Sequence, residues 1–364
     1  MTTKTIVISG INMVEGGIFT ILDNCLQKIS KYAAKNNLNV IALVHDASKF
    51  NYPNIEYISF PKSKKNWLFR IYYEYFYFKK LSKKTKPDIW LSLHDVSPNV
   101  VAQKRFVYCH HPTVFYKASL KDWKFDYKIG IFSILYKYLF KLNIKKNNAI
   151  FVQQHWIKKE FEQLFNINNI IVSKPEFIEE NIDFTVTLDN SKIHFFYPTL
   201  SKSFKNIEQI AEAILLVPIN LRKKIKVHIT IQKKDNIYAN NIVKKYSLEE
   251  INYIGKITRK EVFAYYKAMD CLIFPSKLET WGLPITEAKS YNKPILVADL
   301  PYAKETVGTY KKVSFFDINN PKELSELITK FVLNTIKFQE NIDLNKSKES
   351  LENWNDMFDY IFKE

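Results

Sequence analysis

The 364-residue chain is predicted to be an α/β protein with two domains, each built on a doubly wound parallel sheet. Three observations carry this prediction. Short apolar runs typical of buried strands alternate with helical patterns in both halves, the connections are short, and the length suffices for two hydrophobic cores. In such sheets, ligands bind beyond the carboxyl ends of the strands. Polar residues that follow predicted strands are therefore the first candidates for a functional site.

The first half begins with a strand, a glycine loop and a helix. The apolar run 6–8 is followed by Gly16 and Gly17, and then by apolar residues at helical spacing. This order is the opening of a Rossmann-like unit, although the dinucleotide fingerprint GxGxxG is absent. An ordinary tight turn is the alternative for the glycine pair.

Two later strands of this half are predicted to end in polar pairs. His94 and Asp95 follow one strand, and His110 and His111 follow the next. Both pairs therefore fall at the expected ligand edge of the sheet. A structural role is the alternative for each histidine. The run 149–153 is predicted to be the last strand of this half, and the stretch that begins at residue 170 is assigned to a linker.

The second half opens with a strand at 193–198, and a loop with Lys202 and Lys205 follows it. A helix begins after this loop, at residue 207. Lysines between a strand end and a helix N-terminus favour phosphate binding. Two solvated lysines are the alternative in a chain so rich in lysine.

A corner with two carboxylates follows the apolar strand 271–274. Gly282 gives the backbone freedom there, and Pro284 suits the first turn of a helix. The helix start offers N–H groups to an anion, whereas Glu279 and Glu287 can accept hydrogen bonds from neutral hydroxyls. This combination suits a nucleotide-sugar. An ordinary strand–loop–helix corner with two solvated glutamates is the alternative.

The spacing Glu279-x7-Glu287, with Gly282-Leu283-Pro284 between the two carboxylates, resembles the signature of the retaining glycosyltransferases of family 4. The segments around His94-Asp95 and His110-His111 resemble motifs of bacterial O-antigen and capsule polysaccharide transferases in that family. The resemblance covers about residues 195–308 closely and the first half more loosely.

The resemblance implies the GT-B fold, in which two Rossmann-like domains face a cleft and a C-terminal helix crosses back to the N-terminal domain. We expect the acceptor domain at residues 1–175, a linker at 176–192 and the donor domain at 193–348. Residues 349–364 carry the amphipathic pattern of the returning helix.

The resemblance also implies a role for each candidate residue. Glu287 would accept ribose hydroxyls, Glu279 a hydroxyl of the donor sugar, and Lys205 would stabilise the diphosphate. No arginine precedes Lys205-Asn206, so Lys202 takes the position of the second cation. His110 would hydrogen-bond the donor sugar, with His111 as the other possibility. The remaining candidates are donor-binding or acceptor-side residues: Gly16, Gly17, Trp281, Gly282, Leu283 and Pro284 for the donor, and Asp95 and His111 for the acceptor or as supporting residues.

The family retains anomeric configuration without a metal, and no Asp-x-Asp occurs in the sequence. The resemblance therefore implies no cofactor and no metal site. The expected partners are a nucleotide-diphosphate sugar as the donor and a saccharide acceptor, which is lipid-linked in this class of transferases.

The formal net charge of +17 comes almost entirely from lysine, and arginine occurs only at positions 70, 105, 222 and 259. Sequence-specific DNA readers rely on arginine, so nucleic acid is not an expected partner. Two aromatic and basic segments, 67–84 and 115–146, suit an anionic membrane surface, with core packing as the alternative. No membrane span or signal peptide is predicted. We therefore expect a cytoplasmic protein that is peripheral at the inner face of the membrane.

Two other functions remain open from the sequence. One is a GT-B sugar-nucleotide epimerase, which uses no lipid acceptor. The other is a non-catalytic basic protein that binds membranes or single-stranded nucleic acid. The motifs do not specify the base, the sugar, the linkage or the acceptor, because these depend on pocket shape and a few loop hydrogen bonds.

Overall fold

The structure is a computed structural model of the chain, and it describes residues 3–177, 184–342, 345 and 347–363. Residues 178–183 of the predicted linker thus lie outside the described residues. No helix within the described ranges combines the length and the apolar character that a membrane span requires.

The chain packs as two compact units. The first contains Met1–Phe115, Ile134–Ile178 and Lys348–Glu364, and the second contains Tyr116–Ser133 and Glu179–Ser347. The segment Tyr116–Ser133 therefore differs from the predicted acceptor domain, since it packs with the second unit. Its polar side chains explain this, because they bind residues of the second unit, as described below.

The first unit contains a parallel sheet whose described part has seven strands, in the order β3-β2-β1-β4-β5-β6-β7. Its strands are β1 Thr5–Ser9, β2 Asn39–Val44, β3 Ile55–Ser59, β4 Ile89–Ser92, β5 Lys104–Cys109, β6 Ala149–Val152 and β7 Ile170–Val172. The assignment of the stretch from residue 170 to a linker was wrong, because Ile170–Val172 pairs with β6 as an edge strand. Three residues are too few for a recognisable period in the sequence.

The helices of the first half of the chain are α1 Gly16–Asn36, α2 Trp67–Tyr72, α3 Phe78–Thr85, α4 Leu120–Phe125, α5 Tyr127–Lys141 and α6 His155–Phe165. A π-helical turn, Tyr73–Tyr77, joins α2 to α3. Ile6 and Ile8 of β1 pack in one core cluster and Val7 packs in another, on the other face of the sheet. Burial on both faces explains why these strands are continuous apolar runs.

The second unit contains a parallel sheet with six strands among the residues described, in the order β10-β9-β8-β11-β12-β13. Its strands are β8 Ile193–Tyr197, β9 Ile225–Ile229, β10 Ile251–Tyr253, β11 Cys271–Phe274, β12 Ile295–Ala298 and β13 Val313–Phe316. Its later helices are α7 Ile207–Leu216, α8 Ile219–Arg222, α9 Ile237–Lys245, α10 Arg259–Ala268, α11 Leu283–Ser290, α12 Pro301–Val307 and α13 Pro321–Val332.

The C-terminal helix α14, Trp354–Lys363, belongs to the first unit, as predicted. Trp354, Met357, Phe358 and Ile361 lie in the same core cluster as the buried face of α1. The Tyr32 hydroxyl of α1 also donates to Asp359 at 2.8 Å. The predicted fold class, two Rossmann-like α/β units with the last helix on the first, is thus confirmed.

Candidate functional site

The corner between β11 and α11 has the predicted form. Gly282 has φ of +82° and stands directly before α11, and Pro284 is in the first turn of that helix. A Cβ at Gly282 would lie 3.1 Å from Ile285 Cδ1, in a backbone conformation that other residues rarely adopt. Glycine is therefore required here, and it sets the direction in which α11 starts.

Glu287 is a residue of α11, and its side chain is buried. Its side chain is 2% exposed, and Oε1 is 2.6 Å from Nη1 of Arg259 on α10. The Arg259 guanidinium also lies over the ring of Phe263, at 4.3 Å from its centroid. The alternative of a solvated glutamate is therefore wrong for this residue, because the carboxylate is buried and paired with a cation.

Arg259 is the residue that the sequence reasoning missed at this corner. The expected second cation was one close to Lys205 in sequence, whereas Arg259 comes from the start of α10. One signal was available, since arginine occurs at only four positions in this lysine-rich chain. An arginine retained in such a chain favours a planar, buried pairing that lysine would make less well.

Glu279 and Lys205 are brought together as a second pair. The Lys205 ammonium contacts Glu279 Oε1, and both side chains are mostly covered. Two hydrogen bonds hold the loops that carry them: Tyr197 Oη donates to Lys205 O, and Lys277 N donates to Phe204 O, each at 2.8 Å. The lysine loop and the corner are thus in contact within the second unit.

The backbone from Trp281 to Pro284 is held from both sides. The Trp281 indole donates to Thr286 Oγ1 at 2.8 Å, and the hydroxyl of Thr306 donates to Trp281 O. Leu283 and Pro284 are partly buried at the first two positions of α11. These two hydrogen bonds therefore anchor the stretch at the start of the helix.

Lys202 binds a carboxylate outside the corner. Its Nζ is 2.7 Å from Asp126 Oδ2, in the segment Tyr116–Ser133. The first amide of α7, at Ile207, donates to the Tyr238 hydroxyl at 3.3 Å. Protein groups therefore bind both the Lys202 ammonium and the first amide of α7.

In the first unit, the structure joins Asp95 to His110. Asp95 has φ of +75°, and its Oδ1 accepts a hydrogen bond from His110 N at 2.6 Å. His110 is buried, with Gln153 Nε2 3.3 Å from its Nδ1. Burial lowers the pKa of His110 to about 4, so this imidazole is neutral at pH 7.

His111 and the glycine pair are more open than His110. The His111 ring stacks on Tyr136, with centroids 4.7 Å apart, and the ring nitrogen Nδ1 contacts the Thr113 hydroxyl. Gly16 and Gly17 are exposed as the first two residues of α1. Gly16 has φ of +67°, which explains a glycine at this position whether or not a ligand binds there.

His94 has a structural role in this arrangement. Its Nδ1 is 2.8 Å from Glu74 Oε1 and its Nε2 is 2.8 Å from Ser9 Oγ, and all three side chains are buried. Glu74 is the buried residue of the π-helical turn. The turn thus aims a carboxylate at the end of β4, and these buried polar contacts support the residue next to Asp95.

Arg70 connects the loops at this edge of the first sheet, and the sequence reasoning did not single it out. It donates to His94 O at 2.9 Å, to the Tyr136 hydroxyl at 3.3 Å and, through Nε, to the amide oxygen of Asn12 at 2.7 Å. Because Tyr136 in turn stacks on His111, Arg70 ties the glycine loop to both histidine-bearing strand ends.

The comparisons with known proteins concern the family and the fold. Residues 177–349 match the family model of glycosyl transferases group 1. The matched range contains Lys202, Lys205, Arg259, Glu279 and Glu287.

A curated relative from Klebsiella pneumoniae, an uncharacterized 41.2 kDa protein in a cps region, is 32% identical over 91 residues. That match covers 24% of this chain and 25% of the relative. The chain therefore spans about a quarter of the length of this curated relative.

Solved structures match nearly the whole chain. A sucrose-phosphate synthase from Thermosynechococcus elongatus has a TM-score of 0.67 at 12% identity, with 91% of this chain and 90% of that chain covered. The lipopolysaccharide outer core galactosyltransferase WaaB has a TM-score of 0.66 at 13% identity, with 99% of each chain covered. Anabaena HepE in complex with UDP and glucose has a TM-score of 0.60 at 12% identity, covering 91% and 90%. At these identities the likeness shows the fold, which is GT-B, as the sequence predicted.

The buried His110 makes the stability of the first unit depend on pH. The unfolded chain takes up a proton on this side chain at its ordinary pKa of about 6.5. In the folded unit the pKa of His110 is about 4, so the ring takes up a proton only near that pH. The stability that neutral His110 contributes is therefore complete above about pH 6.5 and is lost as the pH falls toward 4.

We expect His110→Gln to remove up to about 3 kcal/mol of this pH dependence of the free energy of unfolding, measured by urea unfolding. Identical pH profiles for the variant and the wild type would contradict the buried neutral imidazole.

Proposed function

We propose that the protein is a retaining, metal-independent glycosyltransferase. It moves a sugar from a nucleotide-diphosphate sugar to a saccharide acceptor during synthesis of a surface polysaccharide, and the acceptor is lipid-linked. The observation that carries the proposal is the corner between β11 and α11, where buried Glu287 pairs with Arg259 and Glu279 pairs with Lys205. Matched carboxylates and cations can bind hydroxyls and phosphates side by side.

Two kinds of relatives support the substrate class. HepE is a structural neighbour in complex with UDP and glucose, and TarM, another neighbour, is in complex with Fondaparinux, alpha-GlcNAc-glycerol and UDP. The Klebsiella relative is encoded in a cps region. A nucleotide-sugar donor and a saccharide acceptor are the substrates that these relatives suggest for this chain.

The proposed reaction balances without a metal or a protein nucleophile. The acceptor hydroxyl oxygen forms a bond to the anomeric carbon on the face from which the diphosphate leaves. The bond from that carbon to the diphosphate oxygen breaks, and its electron pair stays on the diphosphate. The acceptor's proton passes to this leaving oxygen. Lys205 and Lys202 stabilise the charge that develops there, in the manner of a preorganised anion site.

His110 fits a positioning role in this scheme. Because burial lowers its pKa to about 4, the neutral ring can hydrogen-bond a sugar hydroxyl but does not supply a proton at pH 7. Asp95 orients it by accepting from its backbone N–H at 2.6 Å. His110 would therefore position the donor sugar, and the leaving diphosphate oxygen would take the proton of the acceptor hydroxyl.

A binding experiment tests the donor site. We expect the wild type to bind one member of a panel of UDP-, GDP-, ADP- and dTDP-sugars, and Glu287→Ala to weaken that binding at least about tenfold, because two hydroxyl hydrogen bonds are lost. Calorimetry measures both affinities. The control is Glu326→Ala on α13, an exposed glutamate of the same unit. Equal affinity of Glu287→Ala and the wild type would rule out the site.

Product analysis of the same mixtures separates the competing functions. Slow hydrolysis of the donor with retained anomeric configuration supports a retaining transferase. An epimeric nucleotide-sugar would indicate the epimerase, and inversion would exclude the retaining mechanism. No binding to any sugar, together with salt-sensitive binding to single-stranded DNA, would indicate a basic binding protein.

We also propose that the first unit attaches to an anionic membrane face. Leu68 and Phe76 are 75% and 66% exposed, and with Tyr72 they recur every fourth residue from α2 into the π-helical turn. Exposed lysines 79, 80 and 83 follow on α3. An apolar stripe that leads into a lysine cluster suits insertion between lipids with contact to anionic headgroups.

The neighbouring helix extends this surface. Tyr136 of α5 is buried against α2, where its ring meets Trp67 at 5.9 Å between centroids. Ile134, Leu135 and Tyr138 of the same helix are exposed. The alternative of core packing thus holds for some aromatic residues of these segments and not for others.

Vesicle sedimentation tests the membrane proposal. We expect stronger binding to phosphatidylcholine vesicles that contain phosphatidylglycerol than to phosphatidylcholine alone. Leu68→Ser with Phe76→Ser should weaken binding at least about tenfold, since each buried apolar side chain contributes about 1.5–3 kcal/mol. Ile237→Ser, at an exposed apolar position of the second unit, is the control. Unchanged binding of the double variant would contradict this surface.

A further inference from the structure

We propose that Asp126 is an internal counter-ion for Lys202, which the diphosphate of a donor must displace. This inference rests on the proposed donor function of the lysine loop. It assigns a role in donor affinity to a residue that lies in the first half of the sequence and packs with the second unit.

The segment that carries Asp126 is firmly attached to the second unit. Asp122 Oδ1 accepts a hydrogen bond from Ser203 Oγ at 2.5 Å, in the middle of the lysine loop. Asp122 Oδ2 accepts from the Tyr116 hydroxyl at 2.8 Å and from Ser119 N at 2.7 Å. These bonds, formed by a buried carboxylate, fix α4 against the loop.

Asp126 follows at the end of α4, and its carboxylate reaches Lys202. The Nζ–Oδ2 distance is 2.7 Å, with the Asp126 side chain 16% exposed and the Lys202 side chain 45% exposed. The aspartate side chain is thus mostly covered by the protein, whereas nearly half of the lysine side chain is exposed to solvent. An incoming anion can therefore reach the lysine without moving the aspartate.

Two other lysines of this region have carboxylate partners of their own. Lys121 contacts Glu208, which also accepts from the Tyr238 hydroxyl at 2.6 Å. Lys205 contacts Glu279. Asp126 therefore acts mainly on Lys202, and both lysines assigned to the diphosphate carry a compensating carboxylate before the donor binds.

The ion pair between Lys202 and Asp126 affects both donor binding and product release. A diphosphate can bind the Lys202 ammonium only if the ion pair with Asp126 breaks. The bound diphosphate then lies near the Asp126 carboxylate, which repels it. Ground-state binding of the donor and of the nucleoside diphosphate product is weakened by both effects. The ion pair between Asp126 and Lys202 re-forms when the product departs, so Asp126 favours product release.

A structural role at the start of α5 does not account for the charge. Asp126 directly precedes that helix, and Ile129 N donates to its backbone oxygen at 2.9 Å. Asparagine serves as well as aspartate at a helix start. The variant Asp126→Asn therefore removes the counter-ion while it keeps the local backbone arrangement.

Calorimetry with inorganic pyrophosphate, UDP, GDP and ADP tests the inference. We expect Asp126→Asn to bind pyrophosphate and the preferred nucleotide about three- to tenfold more tightly than the wild type, because an exposed ion pair no longer competes. Lys202→Met should bind more weakly. In the Lys202→Met background, Asp126→Asn should change affinity less, since both effects act on one ammonium.

Glu326→Gln on α13 controls for the change in net charge, and it should leave these affinities unchanged. Asp126→Ser is a second variant for the case in which Asp126→Asn fails to fold, which circular dichroism would show. Equal or weaker binding by the variants, or an equal gain in both lysine backgrounds, would overturn the inference alone. No binding of any probe by the wild type would overturn the proposed donor site and the inference with it.

Discussion

The buried ion pair between Arg259 and Glu287 is the interaction on which the candidate donor site depends. An unpaired carboxylate at this depth would cost several kcal/mol, so Glu287 can stay inside α11 only beside a cation. Arg259 supplies that cation from α10 at 2.6 Å. Gly282 then makes the pairing possible, because its left-handed backbone starts α11 in the direction that points Glu287 at the arginine. The buried ion pair therefore depends on Gly282, Glu287 and Arg259 together.

Charge compensation extends from this pair through the rest of the site. Lys205 contacts Glu279, and Lys202 binds Asp126 at 2.7 Å. A nucleotide-sugar would therefore exchange one set of partners for another. Its affinity would depend on the difference between two sets of contacts, which lets small changes in one carboxylate alter binding. In the first unit, Arg70 has the comparable organising role, since it joins the loops that carry Asn12 and His94 to Tyr136 of α5.

The fold could be predicted from the sequence because parallel strands buried on both faces are continuous apolar runs that alternate with helices. The contiguous corner from Glu279 to Glu287 could be placed for the same reason, since its glycine and proline specify the backbone locally. The ion-pair partners could not be placed. Asp126 and Lys202 are 76 residues apart, and Glu279 and Lys205 are 74 apart, so only tertiary packing shows that they meet. The burial of Glu287 was also hidden, because an isolated glutamate in a helix is usually exposed.

The most direct test of the central claim is a crystal structure of the protein with the nucleotide-sugar that binds most tightly. We expect the diphosphate within hydrogen-bonding distance of Lys202 and Lys205, a ribose hydroxyl on Glu287 and a sugar hydroxyl on Glu279. We also expect Lys202 to have left Asp126. A nucleotide bound elsewhere, with Glu279 and Glu287 making no contact to it, would contradict the proposed donor site.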